Sequence, residues 1–475
     1  MPPDVQLAFA SIAEIASLYR RGKLSPVELT RFLLDRIARL NPRLNAYLTV
    51  CEEQALERAV RAESALPGRR RGKSARDLSP LHGIPISLKD NIYSAGTRTT
   101  AGSKILHDFV PLHDAPVVTA LKKAGAIILG KTNMHEFAYG ATSNNPHYGP
   151  VRNPWDTTRI AGGSSGGSAA ALAAGLCFGS IGTDTGGSIR IPASLCGVVG
   201  LKPGLGRVNA EDVIPLSPTL DFVGPLARSA EDAALLLQPI FTHGPKERSL
   251  LPGRFPSPRA RRAKLGIPKE FFFDVVRPDV QRAFDCSISI LRKGGASIKE
   301  ISLPLLPETE EAGNQIAWAE ATLYHQQAGW FPDRSADYGE DVRSRLEMGA
   351  KVSAVSYLKA LQTREKFIAA FHLALEDADV DALVVPTTPI VAPPIGEEST
   401  AVNGTLHATR ALLLRLNRPA NLAGVPAVSV PCGLTENGLP IGLQFIAAVT
   451  DEPLLLELAR NFEHASPLEP RPILD

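Results

Sequence analysis

Cysteine is scarce: five residues in a chain of 475 (Cys51, Cys177, Cys196, Cys286 and Cys432), odd in number, scattered, and never in a C-x-x-C pair. That argues against a disulfide framework and a zinc knuckle, and it fits a reducing compartment. Neither sign of charge dominates, with 51 Lys and Arg against 49 Asp and Glu, so no global field favours nucleic acid or an anionic membrane. Two local basic runs, residues 69–73 and 259–264, sit among Pro and Gly without interleaved aromatics. They read as solvated loops rather than as a polyanion site. Long apolar runs are missing as well: the longest weakly polar stretch, Ser168 to Thr183, is too short and too rich in Ala and Gly to span a bilayer. No basic leader precedes an apolar run, because Asp4 comes first and Glu14 interrupts Leu7 to Leu18. The expectation is a cytoplasmic protein with no nucleic-acid partner and no membrane span.

What is present is an ordinary globular composition, 44% hydrophobic and 21% charged, enough for one very large domain or two to three average ones. The first seventy residues read as a helical cap. Ser25-Pro26-Val27-Glu28 is a capping box with Pro at the first helical position, and Leu29, Phe32, Leu33 and Ile37 follow at helical spacing. From Pro80 onward short apolar runs (Ile84 to Leu88, Ala126 to Leu129, Phe178 to Ile181, Val198 to Leu201) alternate with helical patterns, the rhythm of an α/β core. Between about 270 and 378 a helical insertion is expected, with Val280, Phe284, Ile288 and Leu291 on one face of its first helix. Strand-like runs return at Leu383 to Val385, Ala427 to Val430 and Ile441 to Ile446, so residues 71–475 read as one body. The stretch His243 to Pro258 reads as a long loop within it.

Gly and Ser crowd into two segments, Ala161-Gly162-Gly163-Ser164-Ser165-Gly166-Gly167-Ser168 and Gly182-Thr183-Asp184-Thr185-Gly186-Gly187-Ser188-Ile189-Arg190. Alone, the first would be a flexible entry to an Ala-rich helix. The second adds chemistry: Gly186-Gly187-Ser188 offers consecutive backbone N–H groups beside a hydroxyl, the arrangement that holds an oxyanion while the same Ser attacks a carbonyl. A serine hydroxyl needs a base. Lys89 ends the apolar segment Ile86-Ser87-Leu88, where burial would leave its amine neutral; the plainer alternative is a surface Lys paired with Asp90.

These segments, together with Lys89-Asp90-Asn91, Gly130-Lys131-Thr132-Asn133-Met134, Arg152-Asn153-Pro154-Trp155, the run Cys196 to Pro203 and Pro419-Ala420-Asn421-Leu422-Ala423-Gly424, strongly resemble the amidase signature family from about residue 80 to the C-terminus. The resemblance implies an α/β fold with a central twisted mixed β-sheet and helices on both faces. It also implies a Ser-Ser-Lys triad without metal or cofactor: Ser188 as nucleophile, Ser164 as relay after a cis peptide, and Lys89 as base. Ser165, Asp184 and Arg190 match supporting positions, and the N–H groups of Thr185, Gly186, Gly187 and Ser188 match the oxyanion hole. The reaction implied is hydrolysis of small amides, and in relatives also carbamates and esters, by a monomer or homodimer. The alternative within the family is the glutaminase component of a tRNA-dependent glutamine amidotransferase, which works only in a complex. Three departures set the chain apart from it: His135 replaces an Asp, Lys202-Pro203-Gly204-Leu205-Gly206 replaces K-P-T-Y-G, and Leu414 stands where an acidic residue would grip the α-amino group of glutamine. A substrate pocket walled by the insertion, by Met134, Phe137 and Tyr139, and by loops around Phe445 is expected, with Trp318, Tyr324, Trp330 and Phe331 as further candidates.

Three other motifs compete. Gly162 to Gly166 fits G-x-S-x-G, which would make Ser164 a nucleophile needing a downstream His such as His325, His372, His407 or His464. Gly125 to Thr132 satisfies the Walker A pattern, yet its interior Ala-Ile-Ile-Leu is a buried-strand sequence. Ser356-Tyr357-Leu358-Lys359 is an S-x-x-K tetrapeptide without its S-D-N and K-T-G companions, and reads as a helix surface.

Overall fold

The computed structural model describes residues 3–66, 78–242, 258–448, 451–466, 468, 471, 472 and 474. Eleven strands form one mixed sheet: β1 (Tyr47–Val50), β2 (Pro85–Lys89), β3 (Ile127–Thr132), β4 (Ser180–Asp184), β5 (Val199–Lys202), β6 (Phe222–Ala227), β7 (Lys264–Pro268), β8 (Ser297–Ile301), β9 (Ala382–Pro386), β10 (Ala427–Leu434) and β11 (Pro440–Ala447). Their spatial order is β1-β3-β2-β4-β6-β5-β10-β11-β9-β7-β8. The central strands β2 to β6 and β9 to β11 are buried almost throughout, as continuous apolar runs covered on both faces must be.

Local chemistry explains the elements that frame the sheet. Both predicted capping-box bonds form at Ser25 and Glu28, at the start of the helix Pro26–Leu44, and a second box forms at Ser11 and Glu14. In the helix Pro278–Lys293 the buried side chains include Val280, Phe284, Ile288 and Leu291, the stripe read from spacing. The helix Gly166–Ala173 is buried along its whole length, which its Gly, Ser, Ala and single Leu permit.

Three expectations need correction. The N-terminal seventy residues are not purely helical: Tyr47–Val50 pairs antiparallel with β3 and forms an edge of the main sheet. The insertion is not purely helical either, since Ser297–Ile301 extends the opposite edge parallel to β7. Edge strands carry weak patterns because one flank and much of one face meet water, and Ser297–Ile301 buries only Ile301. The second basic run is not a loop: it closes the helix Pro258–Arg261 and opens β7. The first basic run, and all of the His243 to Pro258 stretch except Pro258, lie outside the described residues. Among the described residues no helix is long and apolar enough to cross a membrane.

Candidate active site

β2 and β4 are parallel neighbours, with Ser87 opposite Ser180 and Leu88 opposite Ile181, so both deliver their C-terminal residues to one edge of the sheet. In open α/β sheets that edge is where ligands sit. Lys89 closes β2; Thr183 and Asp184 close β4.

Lys89 is fully buried. Its Nζ lies 2.7 Å from Ser164 Oγ and 2.6 Å from Thr183 Oγ1. Burial pushes the amine down to about 7, with Asp221 and Asp184 opposing the shift. A substantial neutral fraction therefore exists near pH 7, able to take a proton from Ser164. Asp90 does not compete for it. That carboxylate is 3.6 Å from Lys131 and accepts from the Thr100 N–H and hydroxyl, so the Lys-Asp dipeptide divides between two partners. Asp221, the carboxylate that opposes the shift most, is itself pushed up to about 6 by burial, against hydrogen bonds donated by the Thr185 hydroxyl and the N–H groups of Leu216 and Ser217.

Ser164 stands just before the helix Gly166–Ala173, and the Gly163–Ser164 peptide is cis. Ser165 ties this turn to its surroundings: its hydroxyl donates to the Thr183 carbonyl (3.1 Å) and its N–H donates to the Ser188 carbonyl (3.1 Å). Ser188 is 5% exposed. The structure thus closes the Lys89–Ser164 link and anchors the Ser188 backbone to the Ser164–Ser165 pair. No hydrogen bond joins the Ser164 and Ser188 hydroxyls; until substrate fills a site, catalytic hydrogen bonds are often long or poorly aligned.

The loop Thr185–Ser188 is shaped by Asp184. Its Oδ1 accepts from the Gly187 N–H (2.8 Å) and its Oδ2 from the Ile189 N–H (3.1 Å), while Arg190 binds both oxygens through Nη2 (2.9 Å) and Nε (3.0 Å). Arg190 reaches on to Asn421 Oδ1 and Gln444 Oε1, each at 2.6 Å, and Asn421 Nδ2 returns to Asp184 at 2.8 Å. Burial alone would raise the Asp184 carboxyl, but Arg190 and Asn421 outweigh it and hold the group well below the usual range. Gly187 has φ +119°, and a Cβ there would come within 2.6 Å of Asn417 Cβ, so only glycine fits.

One oxyanion expectation changes. The Gly187 N–H is committed to Asp184 and is not available to a substrate oxygen, whereas the N–H groups of Thr185, Gly186 and Ser188 make no hydrogen bond among the described residues. The pocket expectation changes too. Phe445 lies on β11, not in a loop, and is buried against Phe462. Met134, Phe137 and Tyr139 are buried in an apolar cluster with Phe331 and Tyr338, against which Trp318, Tyr324 and Trp330 pack; core packing accounts for most of their surface.

The competing motifs fall away. His325 contacts Phe137 edge-on and is pushed down to about 3 by burial, a neutral packing residue outside any triad. Lys131 lies within β3, fully buried, donating to the Ile92 carbonyl and the Thr99 hydroxyl; no phosphate loop exists there. Ser356 and Lys359 ride on the helix Ala354–Asp377, with Lys359 exposed.

Four contributors escaped sequence reading: Thr183, Asp221, Asn421 and Gln444. Asn421 stands inside a segment that carries the family resemblance, and Thr183 adjoins Asp184, so both had a signal. Asp221 and Gln444 reach the site only through the tertiary fold, and nothing in their local sequence marks them.

Comparison with known proteins agrees with this geometry. A family model described as Amidase matches residues 28–456. The A component of the glutamyl-tRNA(Gln) amidotransferase of Syntrophobacter fumaroxidans is 41% identical over 95% of this chain and 96% of its own length. Among solved structures, an amidase superposes with a TM-score of 0.87 at 35% identity, covering 96% of this chain and 100% of that one. The corresponding amidotransferase component of Thermotoga maritima gives 0.77 at 32% identity, covering 98% and 99%. The chain belongs to the amidase family.

Proposed function

We propose that this chain is a self-sufficient serine amidase that cleaves the C–N bond of small carboxylic amides through an acyl-enzyme on Ser188. The observation that carries the reading is the buried Lys89 amine, pushed down to about 7 and 2.7 Å from Ser164 Oγ. Ser188 Oγ attacks the carbonyl carbon; its proton passes to Ser164, whose own proton passes to Lys89 Nζ. The carbonyl oxygen, now an oxyanion, is met by the N–H groups of Thr185, Gly186 and Ser188. Lys89 returns a proton through Ser164 to the leaving nitrogen, the C–N bond breaks, and the amine departs neutral. Amides need that delivery because an unprotonated amide nitrogen is a poor leaving group. Water then attacks the acyl-enzyme along the same relay. Carbamates and esters present the same carbonyl and are further candidate substrates, and a monomer or homodimer in the cytoplasm is the expected setting.

A second reading is favoured by a specific observation. Relatives such as the Syntrophobacter fumaroxidans protein are components of an amidotransferase, at 41% identity over nearly the full length, which supports a glutaminase working with partner chains. Local residues speak for the first reading: Leu414, not an acid, packs at the nucleophile loop, where a Cβ on Gly186 would meet its Cδ2 at 3.3 Å. The purified chain alone, assayed against a series of aryl acylamides and against glutamine, separates the two. Turnover of an acylamide by the chain on its own supports the first; glutaminase activity that emerges only with partner chains replaces it with the second.

A further inference from the structure

Outside the proposed triad, Arg410 is a charge whose setting the fold alone does not complete. It follows Thr409 at the start of the helix Thr409–Arg415, its Nε is buried without a hydrogen-bond partner, and among the described residues no carboxylate forms an ion pair with it. Its neighbours make matters worse: the charges acting on it include two more guanidinium groups, Arg345 and Arg418, and burial together with these pushes Arg410 down to about 9, more than Tyr139 and Asp341 offset. Arg345 is already satisfied by the Asp341 carboxylate and the Tyr139 carbonyl. Arg418 donates through Nη1 to the Glu310 backbone carbonyl, not to its carboxylate. Beside them the Tyr139 hydroxyl is buried and also lacks a partner. A half-buried cation whose Nε is buried and unpaired among like charges is costly unless something negative completes it.

That something has a place to bind. Arg410 and Arg418 line a cleft of about 90 Å³ with Glu310, Asn314 and Leu414. Leu414 and Arg418 also abut the nucleophile loop, since a Cβ on Gly186 would lie 3.3 Å from Leu414 Cδ2 and 3.8 Å from Arg418 Nε. Leu414 and Arg418 thus border both the cleft and the nucleophile loop.

Resting on the amidase reading, we propose that Arg410, backed by Arg418, binds a carboxylate of the substrate, so that the amides cleaved here are anionic: monoamides of dicarboxylic acids, or N-acyl amino acids, without a free ammonium group nearby. Three guanidinium groups line the cleft, Arg410, Arg415 and Arg418, against the single carboxylate of Glu310, so its balance of charge favours a carboxylate over an ammonium, and Leu414 adds no counter-ion. Free glutamine, which carries both, is expected to bind more weakly than an anion without an ammonium.

Binding can be measured apart from turnover. In the full-length Ser188→Ala protein, calorimetric titration with glutaric acid monoanilide and with its neutral analogue pentananilide should show the anionic ligand bound at least about tenfold more tightly, the scale of one charge-assisted hydrogen-bonded contact. Adding Arg410→Met should remove that preference while leaving pentananilide affinity and the circular dichroism spectrum unchanged. Equal affinities in the Ser188→Ala protein, or a loss shared by both ligands in the double variant, would overturn the proposal. Failure of the unmodified chain to hydrolyse any anilide would count against the amidase reading alone, because this titration does not depend on chemistry.

Discussion

At the scale of single residues, Lys89 is asked to be a base, so its protonation state must set the rate. Its amine is lowered to about 7: above that pH the neutral form dominates and the relay works, and below it the amine holds its proton and cannot accept another. The expected profile of kcat/KM for an anilide is flat above neutrality and falls about tenfold per pH unit below about 7. A profile flat down to about pH 5 would remove Lys89 from the base role, since a lone amine of this kind cannot stay neutral there. Lys89→Ala should cost anilide hydrolysis about a hundredfold to ten-thousandfold, and hydrolysis of a p-nitrophenyl ester far less, because that leaving group needs no proton. Asp184 acts through position instead. Asp184→Ala strands the fully buried Arg190, and breaking a buried pair from one side costs about 3–5 kcal/mol. A large drop in melting temperature together with lost activity is expected, while Arg190→Lys, which keeps the charge but not the two-oxygen fork, should fall between.

At the scale of elements, the site depends on where β2 and β4 stop and on the two turns that follow the Gly-rich segments. Gly187→Ala tests this: with φ +119° and Asn417 in the way, the added methyl must displace the Thr185–Ser188 loop. Amide turnover should collapse, with a stability cost of about 1–3 kcal/mol read by thermal melting. Central elements were legible in the sequence because burial on both faces writes continuous apolar runs, as in β2, β3 and β9, and because capping boxes are local, as at Ser25. Edge strands such as Tyr47–Val50 and Ser297–Ile301 left no such trace. The residues proposed as the triad were legible through the family resemblance, not through spacing alone; Asp90, beside Lys89 in the chain, pairs with Lys131 instead. Asp221 and Gln444 were invisible because folding, not proximity along the chain, brings them to the site.

At the scale of the whole molecule, one sheet of eleven strands gathers the N-terminal cap, the core and the insertion, so residues of β2, β4 and the helix Arg418–Ala423 meet at one place. The same continuity makes the chain's dependence on partners an experimental question that overall likeness does not answer, since an amidase and an amidotransferase component both superpose over nearly the full length. The central claim is that Ser188 is the nucleophile and that Lys89 activates it through Ser164. Labelling with a fluorophosphonate probe, followed by mass mapping of the adduct, tests it most directly. A single adduct on Ser188 is predicted, absent in Ser188→Ala and markedly slower to form in Lys89→Ala; an adduct on Ser164, or labelling that Lys89→Ala leaves unchanged, would contradict it.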